Sequence, residues 1–393
     1  MNTQNTPIHP KLWHREFWLM ALSNFFLSMS VYLLIPALPT FLVEEESFSS
    51  MQVGIVMGAY AIGLFAMGPY CNWLIQRYRR NHVFFVSVLV MALSLTLFTH
   101  GHQWLGVVPH GVFFYALYRI IIGAAFGLSQ MILCSTLIID TCESFFRTEA
   151  NHASAWFGRF SLSLGPMAAI LLTQLVPRGN YLVFDVSAGS AMVAFLLMCM
   201  VSFPFKVPEE NISRFSLDRF FLTSGWVLFI NLVVITMVIG ILMTLHLSAY
   251  FYGMMMLGFL CALIAAKYVF IHVSPKYEAV TGIVLIVLSV LVLMVHSAIS
   301  DYLAPVLLGC GVGVVGSRFL LYFIQLSLHC QRGTSQSSFF LAWECGIGLG
   351  LFVGFAIADI PGRREWFALL LIIVGLLMYF FVTHPWYMRH KQR

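Results

Sequence analysis

Long apolar runs separated by short polar stretches follow one another along the whole chain. Twelve are present, at about 17–43, 51–75, 83–99, 111–139, 152–176, 181–205, 222–245, 248–271, 279–298, 302–328, 335–358 and 365–384. Each approaches the ~20 mainly apolar residues with which a helix crosses a bilayer. The run at 83–99 is the shortest. Alternating segments of ~10 residues, the mark of an outer-membrane barrel, are absent. Residues 1–16 are polar, the first run is longer than a signal-peptide core of ~7–15 residues, and no A-x-A site follows it. The first helix is therefore expected to stay. The pattern predicts an all-α integral membrane protein with twelve transmembrane helices.

Composition removes the soluble alternatives. Of the 393 residues 60% are hydrophobic and 9% charged, and the mean hydropathy is +0.88. A soluble domain carries about 25% charged residues because its surface faces water. Charge then orients the chain. Of the 21 Lys and Arg residues, fifteen fall in loops on the side that holds both chain ends and three (Arg178, Arg363, Arg364) on the other. Short loops rich in Lys and Arg stay in the cytoplasm, which predicts an inner-membrane protein with both termini cytoplasmic. The net charge of +5 reflects this bias, and nucleic acid is not an expected partner. The eight cysteines are scattered without a C-x-x-C pair and read as small packing residues. Asn211-Ile-Ser213 matches a glycosylation sequon, but in a loop on the cytoplasmic side.

The strap "KVPEENISRFSLDRF", in the linker 206–221, divides the chain into an N-terminal bundle (1–205) and a C-terminal bundle (222–393), each with six of the runs. One spacing recurs in both halves. Arg147 is followed by Arg159 twelve residues on and Gly165 eighteen on, and Arg332 by Glu344 and Gly350 at the same intervals. If the halves are repeats, opposite charges stand at matched depths.

Four segments carry a family resemblance that extends over nearly the whole chain. "GPYCNWLIQRYRRNHVF" (68–84) is similar to a Gly-x-Leu-Ala-Asp-Arg-x-Gly-Arg-Arg loop: Leu74, Arg77 and Arg80 fit, while Asn72, Gln76 and Arg79 replace the usual Gly, Asp and Gly. "YRIIIGAAFG" (118–127), "DTCESFFRTEA" (140–150) and "SLSLGPMAA" (161–169) are similar to the span-4, acid-to-Arg and span-5 Gly-Pro patterns. Together they resemble the major facilitator superfamily. The resemblance implies two six-helix bundles, related by a pseudo-two-fold axis, that rock about a central cavity. It further implies that Arg80 pairs with Asp140 and that Gln76, with Arg77 beside it, faces the start of span 11 as a gate. Gln lacks the negative charge that would complement that helix dipole by ~0.3–1 kcal/mol, so a weaker latch is expected.

Charged side chains within a span cost ~2.5–3.5 kcal/mol each, so they line cavities or pair. Arg119, Arg159, Arg318 and Glu344 are placed inside the runs. Glu344, in "LAWECGIG", is the one acid well inside. A carboxylate whose surroundings alternate can take up and release protons, which makes it the candidate for proton coupling, and the resemblance puts Arg119 beside protonatable groups. The alternatives are a permanent salt bridge from Glu344 to Arg159, Arg318 or Arg119, and snorkelling of Arg119 to the interface. Gly346, Gly350 and Gly354 form a small-residue stripe for helix packing, and Glu344 is set about 200° round from it. Arg318, near the midplane, is the first candidate for an anionic group on a substrate, since Arg forks match carboxylates. Arg159 shares that task or pairs with Glu344. Asn24, Tyr32 and Gln325 are candidate cavity residues, and Pro36 and Pro39 are expected to bend span 1.

The favoured function is secondary transport of a small anionic or zwitterionic solute by a monomer, with export in exchange for protons ahead of proton-coupled import of a sugar or organic anion. Asn24 stands in span 1, where many exporters of the family have an acid, which counts against a drug-type mechanism. A membrane-embedded enzyme would need clustered carboxylates or a His/Asp constellation, and an ATP-driven pump a G-x-x-x-x-G-K-[ST] loop. Neither pattern is present. His100, His102 and His110 offer a remote metal reading, against the commoner interfacial histidine. No cofactor or metal is expected.

Overall fold

A computed structural model describes residues 11–105, 111–143, 145–176, 179–202, 213–245 and 247–391. Eleven of its helices are long and apolar enough to cross a membrane, and a pair bent by 44° supplies the twelfth. In chain order they are α1 (Arg15–Glu44), α2 (Ser50–Ala66 with Gly68–Arg77), α3 (Arg80–Leu105), α4 (Val112–Asp140), α5 (Arg147–Leu175), α6 (Gly179–Cys199), α7 (Trp226–Leu242), α8 (Ala249–Tyr268), α9 (Pro275–Leu293), α10 (Ala298–Leu326), α11 (Arg332–Ala356) and α12 (Arg363–His390). The run expected to be shortest belongs to α3, which is 26 residues long because "RNHV" and "THGHQWL" extend the helix at both ends. α1 is interrupted at Leu33. Pro36 has no N–H for the carbonyl four residues earlier, so the break falls just ahead of the prolines. Two π-helical segments, Leu133–Leu137 in α4 and Tyr379–Thr383 in α12, widen their helices locally.

Lipid tails are as apolar as the helices, so burial alone does not drive the helices together; close van der Waals approach does. Glycine makes that approach possible at equivalent places in the two halves. Between α2 and α4, a Cβ on Gly63 would lie 2.2 Å from the carbonyl oxygen of Ile120, and one on Gly123 would lie 2.4 Å from that of Tyr60. Between α8 and α10 the matching values are 2.3 Å for Gly258 against Val306 and 2.0 Å for Gly309 against Met255. The repeated spacing has the same basis. Gly165 of α5 closes on the backbone of Tyr32 and Leu33 in α1, and Gly350 of α11 on that of Met237 in α7. Two six-helix bundles related by pseudo-two-fold symmetry result. They meet along α2 against α11 and α5 against α8.

Gly346, Gly350 and Gly354 all face α7, where added Cβ atoms would meet Thr236, Met237 and Thr244. That leaves the opposite face of α11 turned to the N-terminal bundle.

Candidate functional site: a carboxylate between two tyrosines

Glu344 sits on that face and is 3% exposed. Tyr32 of α1 donates a hydrogen bond to Oε1, and Tyr60 of α2 donates one to Oε2 at 3.0 Å. Both tyrosines belong to the N-terminal bundle and the acid to the C-terminal one, so both bonds bridge the bundles. Glu344 makes no salt bridge among the described residues. Arg119 is 1% exposed and does not snorkel. Its guanidinium lies 5.0 Å from the centre of the Tyr60 ring, whose hydroxyl reaches the acid. Its Nε and Nη1 have no hydrogen-bond partner among the described residues.

A pocket of about 50 Å³ adjoins the carboxylate, bordered by α1, α4, α5 and α11. Asn24 and Tyr32 line it, as expected, together with Arg159. Asn24 donates to the Ser154 carbonyl at 2.9 Å, and Gln130 donates to Asn24 Oδ1 at 2.7 Å and to Ser28 at 2.9 Å. These amides satisfy one another and fix one wall. Arg159 reaches from α5 to α10, where its Nη1 donates to Ser317 at 3.0 Å. Its guanidinium lies 4.8 Å from the Trp156 ring and 5.8 Å from the Trp343 ring, and its Nη2 has no hydrogen-bond partner among the described residues. At the end of the molecule opposite the basic loops, a wider cleft of about 490 Å³ opens between the ends of α1, α5, α7 and α11.

Two expected ligands are elsewhere. Arg318 forms an ion pair with Glu278 of α9, and Gln325 accepts a hydrogen bond from Tyr387 of α12. Neither lines the pocket. One residue advances a helix by about 100°, so Ser317 faces Arg159 while its neighbour Arg318 faces α9. Gln325, two turns on, follows Arg318. The reading of Arg318 as the substrate's first partner is corrected by this register, and by Glu278, which lies one residue outside the expected run and is 3% exposed. Gln130, Gln336 and Trp343, which line the pocket, and Tyr60 and Ser317, which bond its Glu344 and Arg159, were not singled out from sequence. A lone Tyr, Ser or Gln in an apolar run carries no mark of the helix it will face. His110 lies outside the described residues, while His100 lies 3.0 Å from Asp185 of α6, an acid that the sequence reading passed over.

At the basic end, Arg80 pairs with Asp140, as the resemblance implied. Gln76 and Arg77 occupy the last turn of α2. The acid at the start of α11 comes from a different segment, the linker. Thr334, in the first turn of α11, donates to Asp218 at 3.0 Å and accepts from the Arg219 N–H at 2.9 Å. Ser338 accepts from the Leu222 N–H at 2.6 Å. The same strap holds α2, since the Ser216 N–H donates to the Pro69 carbonyl at 3.1 Å and the Phe215 ring lies 4.7 Å from that of Tyr70.

The sequence matches the profile of the Major Facilitator Superfamily over residues 20–351. The colistin resistance protein EmrB of Acinetobacter baumannii is 29% identical over 87 residues, which are 22% of this chain and 17% of that protein. The chain thus matches about a sixth of that relative's length. Among solved structures, the fold is similar to the xylose transporter XylE from E. coli in a partially occluded inward-open conformation. The TM-score is 0.68 at 11% identity, over 94% of this chain and 99% of that one. An auto-inhibited POT-family peptide transporter gives 0.66 at 11% identity, over 97% and 98%. With a profile match over most of its length and this twelve-helix architecture, the chain belongs to the major facilitator superfamily and is a multi-pass membrane protein.

Proposed function

We propose that the chain is a proton-coupled exporter of the inner membrane, with both termini and the basic loops in the cytoplasm. The observation that carries this reading is Glu344, a buried carboxylate with no cationic partner among the described residues, held by hydroxyls from the other bundle. Protonation removes the negative charge that strengthens both bonds. A hydrogen bond to a charged acceptor contributes about 1.5–3 kcal/mol against ~0.5–1.5 for a neutral one. Taking up a proton therefore loosens the contact between the bundles, and releasing it restores the contact. This is the differential interaction that alternating access requires. Arg119 acts beside Tyr60, and Arg159 with Asn24 and Tyr32 forms the solute site. The resistance protein named above supports export over import.

The gate at the cytoplasmic end consists of the Arg80–Asp140 pair and the linker strap. Asp218 supplies at α11 the acid that Gln76 lacks.

The test compares metabolites in cells and medium for the wild type and Glu344→Gln in one host. A compound enriched outside by the wild type alone supports the reading. Depletion from the medium makes the protein an importer, and equal transport by both proteins removes Glu344 from coupling.

A further inference from the structure

We infer that the solute is an organic monocarboxylate with a flat apolar body, its carboxylate seated on Arg159. The inference deepens the proposed reading and rests on the central pocket being the transport site.

The guanidinium occupies a place the fold keeps open for it. A Cβ on Gly316 would lie 2.6 Å from Arg159 Nε, so a larger residue there would displace the side chain. Ser317 takes one donor, Nη1, at 3.0 Å. The other terminal nitrogen, Nη2, is buried on a pocket-lining residue 3% exposed, and has no hydrogen-bond partner among the described residues. No carboxylate is paired with Arg159 among the described residues, because the nearby acid, Glu344, is engaged by Tyr32 and Tyr60. A buried cation without an anion is costly, and an anionic ligand meets that need. One free terminal donor suits a carboxylate better than a phosphate dianion, which calls for several cations.

Zwitterions fit less well. Glu344 lines the same pocket, but each of its oxygens already accepts from a tyrosine, which leaves it less acceptor capacity for a substrate ammonium. The remaining walls describe the body. Phe339, Phe340 and Trp343 are among the residues that line the pocket. The Oε1 atom of Gln336, also on a lining residue, is buried without a donor among the described residues and would accept from a hydroxyl on the solute. The pocket holds about 50 Å³, less than such a solute needs, so loading requires the bundles to part.

Three probes with one body and different charge test this: 4-hydroxybenzoate, 4-hydroxybenzamide and 4-hydroxybenzylamine. Each is titrated calorimetrically into the detergent-solubilised full chain, with no gradient present. The benzoate is expected to bind at least about tenfold more tightly than the amide, and the amine no more tightly than the amide. Arg159→Gln is expected to abolish the preference, and Arg159→Lys, which keeps the charge but not the fork, to retain part of it. Equal binding of benzoate and amide, tighter binding of the amine, no binding of any probe, or an undiminished preference in Arg159→Gln each overturns the inference. The wild-type titrations decide the charge class even if a variant fails to fold. Binding through Arg159 with no flux in proteoliposomes would sink the transport reading and leave only the carboxylate preference of the pocket. Flux with no carboxylate preference would do the reverse.

Discussion

Replacing Tyr32 by Phe removes a single hydroxyl from the contact between α1 and α11. The partner lost is Glu344, 3% exposed and left with the Tyr60 hydroxyl at 3.0 Å. Water cannot easily replace a donor at a carboxylate so enclosed. The expected loss is therefore that of a bond to a charged acceptor, about 1.5–3 kcal/mol. Tyr60→Phe is expected to cost a similar amount. Glu344→Gln provides the control background, since the amide keeps an acceptor oxygen but no charge. There each Tyr→Phe change should cost only ~0.5–1.5 kcal/mol, which leaves a coupling energy of about 1 kcal/mol between hydroxyl and carboxylate. Denaturant unfolding in detergent measures the four corners of each cycle. Because the bonds join the two bundles, their loss should also open the pocket. A change of about 1.4 kcal/mol shifts an opening equilibrium tenfold, and Cys134, which lines the pocket, reports it through its rate of labelling by N-ethylmaleimide, read by peptide mass spectrometry. Equal costs in the two backgrounds would refute the reasoning, because the hydroxyls would then not be serving the charge of Glu344.

Three further predictions follow from the packing and the gate. Asp218→Ala removes the acceptor for Thr334; because Asp218 is exposed and its charge is screened by water, the cost is about 0.5–1.5 kcal/mol rather than that of a buried charge. Cys134 labelling is expected to rise several-fold; an unchanged rate would take the strap out of the gate. Arg80→Gln and Asp140→Asn each break one ion pair and should slow transport, with partial recovery in the Arg80→Asp/Asp140→Arg exchange as the check on pairing. Gly350→Ala places a Cβ 2.2 Å from the Met237 carbonyl oxygen and should destabilise by about 1–3 kcal/mol, seen as a lowered melting temperature in detergent. Gly189→Ala, with nothing within 4 Å, is the matched control and should be neutral or better.

Much of the site was legible in the chain because the membrane makes it so. Glu344 stood out because a lone acid in an apolar run has so few ways to be accommodated. The shared spacing of Arg159 and Glu344 led only to an expectation of matched depths in the two halves; that both line one pocket is a finding of the fold. The Arg80–Asp140 pair followed from a family resemblance rather than from any local pattern. What could not be read was direction. Ser317 and Arg318 are adjacent, and only the rotation of α10 against its neighbours gives one to the pocket and the other to Glu278. Asp218 lies over a hundred residues from Thr334 in sequence, and nothing in "SRFSLDRF" indicates that this strap meets the start of α11.

By itself, then, the sequence determined the apolar spans and the short inventory of charges that lipid would not tolerate unaccompanied. Those are consequences of solvation, and solvation is read one segment at a time. Which charge meets which hydroxyl was decided by the tertiary structure alone. Partners within the bundles are chosen by where glycines let two backbones close and by the angle at which each helix then stands, and neither is a property of a single segment.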